Sequence, residues 1–381
     1  MVSGEFWYGI PNVAEDEMFA MTATFKRDPF PEKVNLGAGA YRDEDGKPWV
    51  LPAVKKAHTL LIDSPTLDHE YLPITGLAEF TTSAAELMFA KESEVIKQGR
   101  VTSIQTISTT GANHLGTFFL SRFYRFNGER EVYMSRPTWI NHYAIFTNVG
   151  ITPIEYPYYN ADTRAIDFDE MLLTMKNAPP DLFSSCTRLD PSQEQWTTIA
   201  DIMLAKGHFA FFDTAYQGFT TGDLDNDAWA IREFSRRGIA MLVCQSFAKN
   251  AGLYGERVGA LHFNVSTPPA YGAKLVSLIL NDASLYEEWK RNIRTMAGRL
   301  IGVRKELYRL LTEEPKTPEN WDHVINQIGI FSFTGISEAQ SKRLVDEFHV
   351  YIAKNGRISL AGLNAKNIRY FAESLDTVVR G

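Results

Sequence analysis

The chain has 381 residues, 44% of them apolar, with a formal net charge of −7 and two cysteines. That length and apolar share can bury a sizeable core and imply two domains rather than one. A mildly acidic balance without a basic run argues against a nucleic-acid or anionic-membrane surface. Cys186 and Cys244 lack metal-ligand spacing and suit a reducing compartment, and no apolar run approaches membrane-spanning length.

In chain order, the first stretch, MVSGEFWYGIPNVAEDEMF, is acidic and has no arginine-rich amphipathic helix, so it reads as neither an import nor a secretion signal. Phe6, Trp7 and Tyr8 within residues 1–12 suit an arm that docks on another chain. From about residue 46 to 282 the pattern alternates strands and helices, as in a mainly parallel sheet covered on both faces. Val101 to Ile107 is a strand that runs into Ser108-Thr109-Thr110-Gly111 and a helix, with Leu115, Phe118, Phe119 and Phe123 on one face. Further on, Asp190 as N-cap and Pro191 at the first position open a helix that buries Trp196, Ile199 and Met203. Gly207 to Asp213 and Ile239 to Cys244 are continuous apolar runs, the mark of strands buried on both faces.

Then Trp289, Ile293, Met296, Leu300, Val303, Leu307 and Leu310 alternate four and three apart, giving one apolar seam on a long helix. Such a seam would also serve a coiled coil, but a helix packed along two domains fits better after a finished α/β unit. Ile330 to Phe333, a helix near 338–348, Val350 to Ile352, Ile358 to Leu360 and a final helix make a smaller α/β unit. The domain reading is an arm at 1–12, a small domain of 13–45 and 315–381, a large domain at 46–282, and a connecting helix at 283–314.

Three of the strand ends carry groups that fit one ligand. In open α/β sheets, ligands sit at the carboxyl ends of strands. Residues 245–259, QSFAKNAGLYGERVG, place Lys249 and Arg257 just past one such end. A lysine can form a Schiff base with an aldehyde, and an arginine can fork onto a phosphate. Pyridoxal phosphate carries both groups. Asp213 ends a second strand, where a carboxylate could pair with a protonated pyridine nitrogen; alone, it would more commonly serve as a cap or a solvated loop aspartate. The hydroxyls of Ser108, Thr109 and Thr110 at a helix start suit a phosphate, or a plain N-cap.

The stretches VNLGAGAYRDEDGKPWVLPAVKKA, HEYLPITGLAEF, SRPTWINH, FFDTAYQGF, GDLDNDAWAIR, QSFAKNAGLYGERVG, NQIGIFSFTG and NGRISLAG run almost end to end. Through them the chain resembles the aspartate aminotransferases, class I transaminases, in wording nearer the mitochondrial type than the cytosolic one. The resemblance implies the type I fold of pyridoxal-phosphate-dependent transferases, with a central mainly parallel sheet covered by helices and a smaller α/β domain. It implies a homodimer, and a ping-pong transfer of the amino group from aspartate to 2-oxoglutarate. It implies a location in the cytoplasm, or in the mitochondrial matrix if this is a mature form.

Carried over by position, the resemblance gives Lys249 the covalent hold on the cofactor and the proton transfer at the substrate α-carbon. Asp213 would pair with the pyridine nitrogen, with His142 behind it. Tyr216 would bond the cofactor's phenolic oxygen, and Trp139 would stack on the ring and border the substrate. Ser108, Thr109, Thr110, Ser246 and Arg257 would hold the phosphate, with Tyr71 reaching in from the neighbouring subunit. Arg357, with the backbone at Gly39, would clamp the substrate α-carboxylate. Thr109 stands where the family usually has glycine.

Two departures stand out. Between Pro180 and Asp190 the strand has shrunk to little more than Leu182-Phe183, and the asparagine that shares the phenolic oxygen is missing. Neighbouring strands would then lack ladder partners. After Arg257, the run Val258 to Val265 passes almost directly to Ser266-Thr267-Pro268-Pro269. About twenty residues, including the arginine that binds the distal carboxylate, are absent there. The gaps have the look of a truncated isoform or a misassembled gene model. They leave open relaxed specificity toward aromatic or monocarboxylic amino acids, or a catalytically impaired isoform that still dimerises.

Overall fold

The computed structural model describes residues 17–37, 39–65, 67–68, 70–126, 128–179, 182–185, 191–261, 270–314 and 316–381. The expected arm at 1–12 lies outside them. At the centre is a seven-stranded sheet. Its order is Ile104–Ile107, Val258–Leu261, Met241–Ser246, Phe209–Thr214, Leu182–Ser185, Glu131–Arg136 and Thr152–Pro157. Val258–Leu261 runs antiparallel to both its neighbours, and the remaining pairings are parallel.

The apolar runs read as doubly buried strands are so. Phe211, Leu242 and Cys244 pack into one core with Ala112, Leu115 and Phe146. Ala210, Phe212 and Val243 point the other way, into a core with Trp196, Met203 and Phe234. Alternate side chains leave opposite faces of a strand, so a strand covered on both sides must be apolar throughout.

The feared break in the sheet does not occur. Leu182–Ser185 is a four-residue strand laddered on both sides: Leu182 and Phe183 align with Val132 and Tyr133, and Leu182 to Ser185 with Phe209 to Phe212. Serine carries backbone donors and acceptors as well as any apolar residue does, so Ser184 and Ser185 extend a strand that hydrophobicity alone would end at Phe183. The next helix starts later than expected. It spans Gln193–Lys206, and Ser192, not Asp190, is the N-cap, with Gln195 completing a capping box. Asp190 lies outside the described residues.

The helix after Ile104–Ile107 also corrects its reading. It spans Ser108–Phe123 and buries Ala112, Leu115, Gly116 and Leu120, while Phe118 and Phe123 are exposed and Phe119 is half-buried. A Cβ on Gly116 would lie 3.0 Å from Phe211. Helix and sheet touch at that point, and Phe118 and Phe123 lie on the outer face.

The long helix, Ala283–Glu313, starts at the side-chain cap Asp282 and buries all seven residues of its seam. They join one core with Leu36, Leu51, Leu360, Phe371 and Leu375. Val34–Asn35 pairs in parallel with Val350–Tyr351, so the early and late parts of the chain share a sheet. Phe331–Phe333 pairs antiparallel with Arg357–Ser359, with Phe333 opposite Arg357. Among the described residues no helix is long and apolar enough to cross a membrane.

A hairpin at Tyr159–Ile166 is fastened to the late part of the chain. The Arg164 guanidinium donates to the Asn320 carbonyl at 2.7 Å, meets His323 Nδ1 at 3.2 Å, and pairs with Glu319. Burial, helped by the Arg164 charge, lowers the His323 pKa to about 4. The unfolded chain therefore takes up a proton below about pH 6.5 that native His323 refuses, and stability present above that pH is lost as pH falls toward 4. His323→Gln is expected to shrink the fall in melting temperature between pH 7 and pH 4.5, measured against the unchanged chain. An identical fall in both would contradict this.

Candidate active site

The sheet delivers its chemistry to one edge. Parallel strands end there with Ser246, Thr214 and Arg136, and Ile107 hands over to Ser108. The antiparallel strand begins there, so Arg257, one residue before Val258, arrives at the same edge from the opposite direction. The Ser108 and Ser246 hydroxyls lie 2.8 Å apart and are buried, and the Ala248 N–H donates to the Ser246 hydroxyl at 3.1 Å. Arg257 donates from Nη2 to Thr110 Oγ1 at 3.3 Å and from Nη1 to the Tyr254 carbonyl at 3.2 Å. The Ser108 side chain does not cap its helix; Thr109 is buried beside it. The result is a group of hydroxyls and a guanidinium at a helix start, suited to an anion with several oxygens.

Asp213 is opposite Cys244 on the neighbouring strand. Its Oδ2 lies 3.1 Å from His142 Nε2 and accepts from Asn113 Nδ2 at 3.0 Å. His142 is fully buried, its Nδ1 is 2.9 Å from Thr138 Oγ1, and the Trp139 ring meets it edge-on at 5.3 Å. The sequence reading found Asp213, His142 and Trp139 but missed Asn113 and Thr138. Asn113 follows Thr110 by three residues on the same helix, a spacing that puts both on one face, and that was the available signal.

Lys249 Nζ stands 5.3 Å from the centre of the Tyr216 ring. Both are fixed by their neighbours in the chain. Asn250 donates to the Gln217 carbonyl at 3.2 Å, and its own carbonyl accepts from the Trp289 indole at 3.0 Å. A Cβ placed on Gly39 would lie 3.0 Å from the Tyr216 hydroxyl and 2.8 Å from Phe331 Cζ, so only glycine brings that backbone so near. The Arg357 guanidinium lies over the Phe331 ring at 4.7 Å. Gly39, Tyr216 and Arg357 thus meet around Phe331, a residue the sequence reading did not single out. Tyr71 is 90% exposed, and no hydrogen bond or ring contact among the described residues joins it to this cluster.

Comparison with known proteins places this arrangement. The family model for aminotransferase classes I and II matches residues 31–375. The chain belongs to that family. It is 42% identical to the cytoplasmic aspartate aminotransferase of Schizosaccharomyces pombe, over 98% of each chain. It is also 42% identical to the cytoplasmic aspartate aminotransferase of Saccharomyces cerevisiae, over 100% of this chain and 98% of the relative. The structure of the S. cerevisiae cytoplasmic enzyme superposes with a TM-score of 0.94 at 41% identity, covering 99% of both chains. The broad specificity aminotransferase of Leishmania mexicana superposes with a TM-score of 0.93 at 37% identity, covering all of both. An aromatic-amino-acid aminotransferase from Burkholderia pseudomallei, solved covalently bound to pyridoxal phosphate, gives 0.92 at 31%, covering 98% of this chain and 99% of that one.

The fold is therefore the type I transferase fold that the sequence led us to expect. The mitochondrial-type wording is not confirmed: these curated relatives are named cytoplasmic. The S. cerevisiae alignment spans 414 positions against 381 residues here, so at least 33 of them have no counterpart in this aminotransferase. The two shortened stretches border residues 186–190 and 262–269, which lie outside the described residues.

Gly259 lies between two stretches of backbone at the site. A Cβ there would lie 2.7 Å from Ser108 Cα and 2.6 Å from the Gln245 carbonyl, backbone on both sides. Gly259→Ala is expected to destabilise the fold by about 1–3 kcal/mol or more in urea unfolding, since neither neighbour can rotate away. A variant as stable as the parent would contradict this close approach.

Proposed function

We propose that this aminotransferase uses pyridoxal 5'-phosphate to move the amino group of L-aspartate to 2-oxoglutarate, giving oxaloacetate and L-glutamate. The observation that carries the reading is the donor set at one sheet edge: a lysine amine, a buried carboxylate, and a guanidinium among hydroxyls, each matching one group of the cofactor. The full-length likeness to aspartate aminotransferases supports the same substrate pair.

The residues fit the cofactor as follows. Ser108, Thr109, Thr110, Ser246 and Arg257 would hold its phosphate, with Tyr71 joining from the partner of a homodimer, a role that suits its exposure. Asp213, steadied by His142 and Asn113, would keep a proton on the pyridine nitrogen, and Tyr216 would donate to the phenolic oxygen. Trp139 would cover the ring. Bound there, pyridoxal phosphate supplies an electrophilic carbon and an electron sink for the substrate α-carbon. Lys249 would hold the cofactor covalently, and its amine would carry the proton at the substrate α-carbon. Arg357 and the Gly39 backbone would orient the substrate α-carboxylate.

We assign 13–45 with 315–381 to a small domain, 46–282 to the large one, 283–314 to the helix between them, and 1–12 to an arm on the partner. The pairing of Val34–Asn35 with Val350–Tyr351 supports the discontinuous small domain. A cytoplasmic location is the reading that the names of the relatives favour. A second reading, relaxed specificity, is favoured by the missing stretch after Arg257 and by the similarity to a broad specificity aminotransferase. An arginine fork on the distal carboxylate is what makes such a site prefer dicarboxylates.

Turnover of aspartate, phenylalanine and alanine with 2-oxoglutarate, on protein supplied with cofactor, separates these readings. Aspartate is expected to lead in kcat/KM; equal or higher values for phenylalanine would favour the second reading. Lys249→Ala is expected to lower kcat by about three orders of magnitude, the scale of a positioned base lost together with its covalent role. Retained turnover in that variant would remove Lys249 from the chemistry.

A further inference from the structure

Arg304 lies on the long helix, is 5% exposed, and has no ion pair with a carboxylate among the described residues. Its guanidinium is spent on neutral acceptors. Nη1 donates to the Val324 carbonyl at 2.9 Å and to Ser332 Oγ at 3.3 Å; Nη2 donates to the Gly329 carbonyl at 3.0 Å and to that of Phe331 at 2.5 Å. Burying a cation is costly, and four neutral acceptors offset the cost only in part. An apolar residue would fill the same space more cheaply, so the cost calls for a return.

The return is the position of Phe331. Its carbonyl is gripped by Arg304, while its ring lies under the Arg357 guanidinium and against Gly39 and Tyr216. Phe331 sits one diagonal step from Arg357 across the pair of strands, since Phe333 is opposite Arg357 and Phe331 opposite Ser359. A shift of the Phe331 backbone would therefore move the floor beneath Arg357 and the wall beside Gly39. We propose that Arg304 is a positioning residue of the substrate carboxylate site, acting through Phe331 on Arg357. This rests on Arg357 being the carboxylate-binding residue, as proposed above. A planar five-donor fork can hold carbonyls on either side of a turn, whereas a lysine presents a single nitrogen.

The test is steady-state kinetics of the full chain, loaded with pyridoxal phosphate, for Arg304→Lys, Arg357→Lys and the double variant. In Arg304→Lys, KM for aspartate should rise about tenfold, with kcat and the visible band of bound cofactor within about twofold of the parent. The double variant should have the KM of Arg357→Lys alone, because both changes disable one binding element. A folded Arg304→Lys with a lower melting temperature but an unchanged KM overturns the proposal, as does a double variant whose effects multiply. If Arg304→Lys does not fold, Phe331→Leu keeps Arg304 and its acceptors and carries the same test: a raised KM supports the proposal, and an unchanged KM overturns it. Absence of aspartate turnover in the parent chain would sink the substrate reading and this inference together. Normal parent turnover, with KM raised in Arg357→Lys but unaltered in Arg304→Lys, sinks this inference alone.

Discussion

One antiparallel strand in an otherwise parallel sheet is the constraint on which the site depends. Val258–Leu261 lies between Ile104–Ile107 and Met241–Ser246 and runs against both. Had it run with them, Arg257 would stand at the far edge of the sheet, a strand length from Ser108 and Ser246. Reversed, it brings the guanidinium to the place where two neighbouring strands deliver hydroxyls. The close packing has a strict condition. At Gly259 the strand passes within contact of the Ser108 backbone, leaving no room for a side chain. The cluster of hydroxyls and guanidinium and the direction of this strand are thus one structural fact.

The remaining functional groups are held by buried polar bonds rather than by loops left to themselves. His142 and Asn113 both reach Asp213 from helices that flank the sheet. Asn250, next to Lys249, is tied to Gln217, next to Tyr216, and to Trp289 on the long helix. The long helix therefore touches both sides of the chemistry: it fixes the backbone beside Lys249 through Trp289 and the backbone of Phe331 through Arg304. Buried hydrogen bonds rigidify a core and favour one arrangement of it, and here the bonds of Asn113, His142 and Asn250 hold the carboxylate and the backbone beside the amine.

Much of this was legible in the sequence. Apolar runs at Gly207 to Asp213 and Ile239 to Cys244 located central strands, and the seven-residue seam located the long helix, because both signals come from burial itself. Local polar chemistry misled where two residues offered the same service: Asp190 and Ser192 can each cap a helix, and geometry chose Ser192. Hydrophobicity misled at Ser184 and Ser185, since a strand needs backbone ladder partners more than apolar side chains, and both neighbours were present to supply them. The phenylalanines at 118 and 123 misled for the opposite reason: they are large and apolar but lie outside the face that carries Ala112, Leu115, Gly116 and Leu120. Strand direction and the placing of Phe331 under Arg357 depend on residues far apart in the chain, and no local pattern encodes them.

The central claim is that these groups form a single cofactor site with Lys249 as its covalent anchor. Borohydride reduction of the protein loaded with pyridoxal phosphate, followed by peptide mapping in a mass spectrometer, tests it most directly. The account predicts one phosphopyridoxyl group per chain, on Lys249, and no labelling of the pocket in Lys249→Ala. Label spread over surface lysines, or none on Lys249 in folded protein, would contradict it.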